Sequence, residues 1–566
     1  MSGFAKLYTC KGENIEGMPW NVYPRPMLKR DSIFCLNGEW ELAVIKGDDK
    51  QNIGSITVPF SPETLLSGVC RRFDEKEYDC LEYRKLFSLP EGFDKGRVIL
   101  NFEAVGNHAS VVLNGKEIGS HIGGYDPFCF DITDVLKEEN ELIVKAKNVL
   151  ADFVQPYGKQ CRKRGGMWYT ETTGIWQSVW LESVGKEYVR SLFAETKDDS
   201  VTITADGIDE ATVTLYTDGG EKTYGMTKGR CVFSVENRRT WSPEDPYLYY
   251  YKIESEHDKV ESYFAFRTLE IKKVDGYERL CLNGSPYFFH GLLDQGYWSD
   301  GGMTPPSPES YKIDIEAMKS LGFNMLRKHI KIEARLFYYE CDRLGMVVFQ
   351  DMINNGKYSF LRDTALPTVG IKDLSDKNMH KDKNTRETFV SYMKKTVDLL
   401  KGHPSICYWT IFNEGWGQFT GSEMYKLLKG IDGTRFIDTA SGWFKKVDSD
   451  VDSEHIYFRK VKLKAKKKPL VLSEFGGYSY RIKGHSFNMD NEYGYGKFTS
   501  REEFAKAFCR LYTDEILPLV DKGLCASVYT QVSDVEDETN GLFTYDRRVL
   551  KITPEEFSDI SAKLKI

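Results

Sequence analysis

The 566-residue sequence is short of several features at once, and each absence removes a class of protein. No stretch offers about 18 consecutive apolar residues, so nothing in it reads as a membrane-spanning helix. The opening MSGFAKLYTCKGENIEGMPWNVYPRPMLKR lacks the apolar core of a secretion signal, which predicts a cytoplasmic protein. The 12 cysteines form no CxxC pair and no other metal-ligand spacing. Scattered in apolar runs, as at Cys35, Cys129, Cys341 and Cys407, they read as reduced core thiols. A net charge of only -7 argues against nucleic acid or an anionic membrane as a main partner. No low-complexity tract suggests disorder, and no glycine-rich phosphate turn follows any apolar strand.

What is present fits a large globular chain. Hydrophobic residues at 41% and charged residues at 28% supply an ample core, and the length exceeds what one core serves, so two to four domains are expected. From Leu36 to about Gly185, alternating runs such as GSITVPF, RVILNFEAV, ASVVLNG and NELIVKAKN are separated by turn residues including Asn114-Gly115. Period two at this spacing predicts a β-sandwich over residues 1–185. VTITADG, TVTLYTDG, YLYYYKIESE and SYFAFRTLEI predict a second, immunoglobulin-like sandwich over 186–272. Over 273–566, helical patterns such as Ser310 to Gly322 and Ile332 to Gly345 alternate with eight apolar strands: YFFHGLLD, NMLRKHI, GMVVFQDM, SICYWTIFNE, TRFIDTAS, SEHIYF, PLVLSEFGG and LCASVYTQVSD. That rhythm predicts a (β/α)8 TIM barrel, with a doubly wound sheet as the alternative.

A barrel places its active site at the carboxyl ends of its strands. The polar residues there are Asp294, Arg327, His329, Asp351, Asn413, Glu414, Ser441, Trp443, His455, Tyr457, Glu474, Gln531 and Asp534. Glu414 and Glu474 end the two most apolar strands, and glycine follows each, at once in one case and after Phe475 in the other. Two carboxylates facing one mouth, with no metal spacing nearby, suit glycoside hydrolysis, in which one protonates the departing oxygen and the other attacks the anomeric carbon or activates water. Trp409, Phe412 and Trp416 would wall the acid, and Arg327 or a tyrosine would keep the nucleophile ionised.

The motifs also carry a family resemblance along nearly the whole chain. LNGEWEL, VPFSPE, VVLNGKEIGSHIGGYDPFCFDITD and TGIWQSVWLE are similar to the jelly-roll sugar-binding domain of glycoside hydrolase family 2, which includes β-galactosidases, β-glucuronidases and β-mannosidases. WSPEDPYLY and FAFRTLE resemble the closing strands of its immunoglobulin-like domain, and GFNMLRKHI, FYYECDRLGMVVFQDM, FNEGW and SEFGG fall in the order of its barrel. The resemblance implies a retaining exo-glycosidase with Glu414 as acid/base and Glu474 as nucleophile, and with Asn413 on the hydroxyl beside the anomeric centre. It further implies that Arg327 supports the nucleophile and that Asp294, His329, Asp351 and Trp443 line the pocket; Tyr457, a strand-end residue, is expected to bind substrate beside them. It implies a carbohydrate substrate, no cofactor and possible homo-oligomers.

The sequence departs from the family in places. The late barrel loops lack the Asn-x-Lys motif of glucuronide-cleaving members, and the two NGK copies, at Asn114 to Lys116 and Asn355 to Lys357, read as structural. RKHIKIE and the strand-eight YTQVSDVEDE also differ from the usual galactosidase patterns. A β-galactoside is therefore the expected substrate, with a galactofuranoside or arabinofuranoside, or a β-glucuronide, as alternatives. The rival classes are an inactive carbohydrate-binding protein and an inverting hydrolase built on Asp294 and Asp351. The pairs His329 with Glu333 and Glu454 with His455 are expected to be hydrogen-bonded, not metal-ligating; DVEDE (534–538) is expected to be a solvated loop, and KVKLKAKKKP (460–469) the outer face of a short helix.

Overall fold

The computed structural model describes residues 5–74, 76–371 and 374–566. The first domain is a sandwich of a six-stranded and a four-stranded antiparallel sheet. Trp40, Leu42, Ile56, Tyr83, Leu100, Val111, Val144 and Leu181 fill its centre, the inward positions that the alternation picks out. Asn114 and Gly115 both take positive φ at the hairpin joining His108–Leu113 to Lys116–Ile122, the two-residue turn expected there. A three-stranded and a four-stranded sheet make the second domain. The antiparallel ribbon Leu269–Val274 and Tyr277–Leu282 then leads into the third, where Leu280 and Leu282 join the barrel-floor cluster.

All eight expected barrel strands form: β1 (Phe289–Asp294), β2 (Met325–Lys328), β3 (Val347–Asp351), β4 (Ile406–Asn413), β5 (Phe436–Ser441), β6 (Asp452–Ile456), β7 (Leu470–Gly476) and β8 (Leu524–Thr530). They make one parallel sheet in the order β5-β4-β3-β2-β1-β8-β7-β6. The seam between β5 and β6 is stitched by side chains: Ser453 donates to Asp438 at 2.9 Å, and Ser441 shares a 2.9 Å hydrogen bond with His455. Period two sends Phe289, Met325, Phe349 and Tyr408 to the barrel floor, where Phe349 and Tyr408 stack 4.1 Å apart. The alternate residues, Leu292, Leu326, Val348 and Trp409, pack outward under the helices.

Helices Glu309–Ser320, Arg335–Leu344, Lys383–Leu400 and Gly421–Ile431 follow β1 to β4, and their buried residues face the sheet. Gly345 stops the second of them in the left-handed region, and Asp382 caps the third by accepting from the Thr385 amide. No helix follows β5 or β6 among the described residues, which is how the short interval between Glu414 and Glu474 holds β5, β6 and the start of β7. The lysine run of 460–469 is accordingly an irregular strap, not the helix expected, because its apolar residues Val461, Leu463 and Ala465 recur with period two and it is this extended face that packs on the core. DVEDE is not solvated either. Asp534, Glu536, Asp537 and Glu538 are buried, pairing with Lys551, with Arg164 of the first domain and with the Tyr169 hydroxyl. The cysteines are all free among the described residues, but only half are core thiols: Cys10, Cys70 and Cys129 are exposed. No helix is long and apolar enough to cross a membrane.

Candidate active site

Glu414 stands just beyond the end of β4, itself at φ 51° and followed by Gly415 at φ 77°. A Cβ on Gly415 would lie 2.3 Å from the Phe444 ring, so the turn that lifts Glu414 above the barrel requires glycine. Glu474 arrives differently. The register of β7 slips between Leu472 and Phe475, a bulge that lets Ser473 and Glu474 both reach inward while Phe475 packs outside.

His455, from the end of β6, sits between the two acids. Its Nδ1 is 2.9 Å from Glu414 Oε1 and its Nε2 3.6 Å from Glu474 Oε1, and one ligand atom from each of the three residues lies within 4.8 Å of the others. Such a trio could hold a metal ion by distance, which the spacing of the sequence did not reveal. Hydrogen bonds already engage it, however, since the Arg327 guanidinium and the Tyr457 hydroxyl both donate to Glu474, at 3.0 and 2.5 Å. Burial works against ionisation of Glu474, but the charges of His455, Arg327 and His329 outweigh it and hold the carboxyl well below the usual range, at about 2.

Arg327 organises the floor of the site. Its Nε donates to Asp351 and its Nη2 to Asn413 Oδ1, both at 2.9 Å. With its oxygen so engaged, Asn413 leaves its amide nitrogen to the cavity, which it helps to line. Asp351 also bonds His329 at 2.8 Å; burial opposes its charge, yet Arg327 and His329 bring it down to about 2. Burial, reinforced by the charge of Lys159, lowers His329. Trp443 packs beside the His455 ring at 5.6 Å.

The resulting cavity is lined by His329, Asn413, Glu414, Tyr457 and Glu474 among the expected residues. Arg327, Asp351 and Trp443 stand behind them. Asp294 does not join this group. Leu293 points into the cavity, so by alternation Asp294 points out, and there it binds Lys328 at 2.6 Å in a network with Glu333 and Lys331. Both acids of the inverting arrangement are thus committed to cations, Asp294 to Lys328 and Asp351 to Arg327. Asp534 pairs with Lys551, and burial pushes its carboxyl up to about 6. Sequence reasoning gave no role to His455, and it missed Tyr495, Glu538 and Asn540 from the barrel loops and Lys159 and Met167 from the first domain. His455 does stand among the strand-end candidates, as the polar end of β6; the others sit in irregular loops with no periodic signal.

Two sandwiches ahead of a parallel barrel with opposed carboxylates at its carboxyl rim define a class, the multidomain sandwich-and-barrel proteins of glycosyl hydrolase type. Comparison narrows it. Residues 272–551 match the family described as "Glycosyl hydrolases family 2, TIM barrel domain", residues 189–267 match "Glycosyl hydrolases family 2", and residues 60–174 match "Glycosyl hydrolase 2 galactose-binding domain-like". The chain belongs to glycosyl hydrolase family 2. It is 26% identical over 334 residues to a β-galactosidase of Thermoanaerobacter pseudethanolicus, covering 54% of this chain and 43% of that protein. It is also 26% identical over 359 residues to a β-glucuronidase of Bacteroides fragilis, covering 58% and 49%. The chain thus spans about half the length of these curated relatives or less. The solved β-D-glucuronidase of Dictyoglomus thermophilum shares its fold, with a TM-score of 0.72 at 18% identity over 96% of this chain and 98% of that one.

Proposed function

We infer that the protein is a retaining exo-acting glycoside hydrolase that removes one terminal sugar from small β-glycosides. The observation that carries this reading is the approach of the Glu414 and Glu474 carboxylate oxygens to within 4.8 Å. Carboxyl groups about 5 to 5.5 Å apart leave room for attack on the sugar by one of them, and too little for an intervening water. Glu474, kept ionised by Arg327 and Tyr457, is the nucleophile. Its oxygen forms a bond to the anomeric carbon as the glycosidic bond breaks, and Glu414 gives its proton to the departing oxygen. Glu414 then takes a proton from water, the hydroxide attacks the anomeric carbon, and the Glu474 ester is released. Asn413 offers its amide nitrogen to the hydroxyl beside the reacting carbon.

Exo action is supported by the lining of the cavity. The cavity is closed on one side by a first-domain loop bearing Lys159 and Met167 and on another by Tyr495, so it receives a chain end and no chain middle. The relatives are named for neutral and acidic sugars alike, and this chemistry serves either. The test is hydrolysis of a panel of nitrophenyl glycosides, pyranosides and furanosides of both anomers, followed by a 2-fluoro-sugar inactivator. One added sugar mass on Glu474 is expected; inverted product with no adduct overturns the assignment, and a wholly inert panel favours a binding protein.

A further inference from the structure

Two donors in the cavity have no acceptor among the described residues, and they share a chemical demand. Lys159 is 7% exposed and lines the cavity, yet no carboxylate or hydrogen-bond acceptor among the described residues engages its ammonium group. Its ammonium nitrogen lies 5.6 Å from the centroid of the Tyr169 ring. A buried cation without an anion is costly and is normally paired. Each acid of the cavity has a partner other than Lys159. Glu474 has Arg327 and Tyr457, Glu414 has His455, and Glu538 accepts from the Tyr169 hydroxyl at 2.7 Å and from Gln531 at 2.8 Å.

Asn540 is the second donor. It is 1% exposed, lines the same cavity, and its Nδ2 has no partner among the described residues. Its orientation is fixed by a chain of amides. Glu538 only accepts, so the group Gln531 presents to it is Nε2, and the same nitrogen donates to Asn540 Oδ1 at 2.8 Å. Gln295 closes the chain by donating to Gln531 Oε1 at 2.8 Å. The Asn540 oxygen is therefore used, and its NH2 is the end left over.

The loop that presents Lys159 is held in place before any ligand arrives. Tyr169 donates its backbone amide to the Lys159 carbonyl at 2.9 Å, the Thr170 amide donates to Glu536 at 2.8 Å, and Arg164 pairs with Glu536 and Asp537. The buried DVEDE segment is thus a clamp that fastens a first-domain loop over the barrel mouth.

We propose that the sugar held in this cavity carries a carboxylate, so that the substrate is a β-hexuronide, and that Lys159 from the first domain and Asn540 from the strand-eight loop together bind that carboxylate. A lysine supplies the charge and an amide NH2 the direction, a pair that two carboxylate oxygens satisfy and a neutral hydroxymethyl does not. This places the acidic-sugar recognition on two separate domains, in a chain whose late barrel loops lack an Asn-x-Lys motif, and it replaces the β-galactoside expected from sequence. It rests on the retaining exo-glycosidase reading above.

The experiment compares kcat/KM for the 4-nitrophenyl β-D-glucuronide and β-D-galacturonide with that for the β-D-glucoside and β-D-galactoside, in the wild type and in Lys159→Met and Asn540→Ala. At least one uronide is expected to exceed its neutral counterpart by about 100-fold. Each variant should lose about 10- to 100-fold of that advantage, chiefly through KM. Wild-type preference for a neutral glycoside overturns the proposal while leaving the glycosidase reading intact, and so does a uronide preference that survives Lys159→Met. Inert wild type across all four substrates fails the glycosidase reading itself. Inhibition of the wild type supplies a check that needs no variant: free glucuronic or galacturonic acid should inhibit at about 10-fold lower concentration than glucose or galactose, and equal inhibition overturns the proposal.

Discussion

Arg327 and Lys328 are neighbours on β2, both 1% exposed, and both hold two carboxylates. Their surroundings differ because a strand turns successive side chains to opposite faces. Arg327 faces the barrel interior and ties Asp351, Glu474 and Asn413 into one rigid floor, whereas Lys328 faces the helix layer and ties Asp294 to Glu333 beneath the Phe337 ring. One network ends in a cavity and keeps a carboxylate ionised and aimed. The other is closed among its own members, with Lys331 pushed down to about 8, first by burial and then by Lys328, although Glu333 pulls the other way. On the proposed glycosidase reading, buried ion pairs of similar geometry therefore serve chemistry or stability according to whether the last group in the chain meets a ligand.

The comparison can be broken by mutation. Glu474→Ala should reduce kcat by about 10⁴-fold or more without altering the fold, measured by turnover beside circular dichroism; near-normal turnover would remove Glu474 from the reaction. Lys328→Met should show the opposite pattern. Leaving Asp294 and Glu333 buried beside one cation fewer should cost about 3 to 5 kcal/mol in urea unfolding, with the activity of the folded fraction kept. A large loss of activity at full stability would merge the two networks.

Acid should distinguish them next. Glu474 and Asp351 are held near 2 when folded, against ordinary values of 4.5 and 3.8. A lowered carboxylate value means that the unfolded chain binds more protons. Their contribution is therefore complete above about pH 4.5 and is lost as the pH falls towards 2. Unfolding midpoints between pH 6 and 3 should fall steeply, and Asp351→Asn should flatten that slope; an unchanged slope contradicts the account of Arg327. The smallest effect is expected at Asp294. Asp294→Asn should lower stability by about 1 to 3 kcal/mol and leave KM unaltered, while a raised KM would return Asp294 to the sugar, where sequence reasoning had put it.

That last case shows how much was legible. The eight strands could be read because each is a short apolar run, and Glu414, Glu474, Asn413 and Arg327 because they end such runs. Even the absence of Asp294 from the cavity was implicit in the alternation Leu293 in, Asp294 out. The inward turn of Glu474 was not, because a bulge in β7 breaks the alternation at Ser473 and Glu474. Parity alone would have sent one of them outward.

The sequence by itself determined the three domains, the barrel and the carboxylate pair, since helices, strands and their polar ends depend on periods of a few residues that the chain states locally. Only the tertiary structure decided what surrounds the pair. His455 comes between the acids because the open seam between β5 and β6 is closed by side chains, with Ser441 reaching across to it. Lys159 and Glu538 stand far apart in sequence and line one cavity because Arg164, Tyr169 and the buried acids of the strand-eight loop bind one domain to another. Contacts of that span depend on how separately folded units close against each other, and no local period records them.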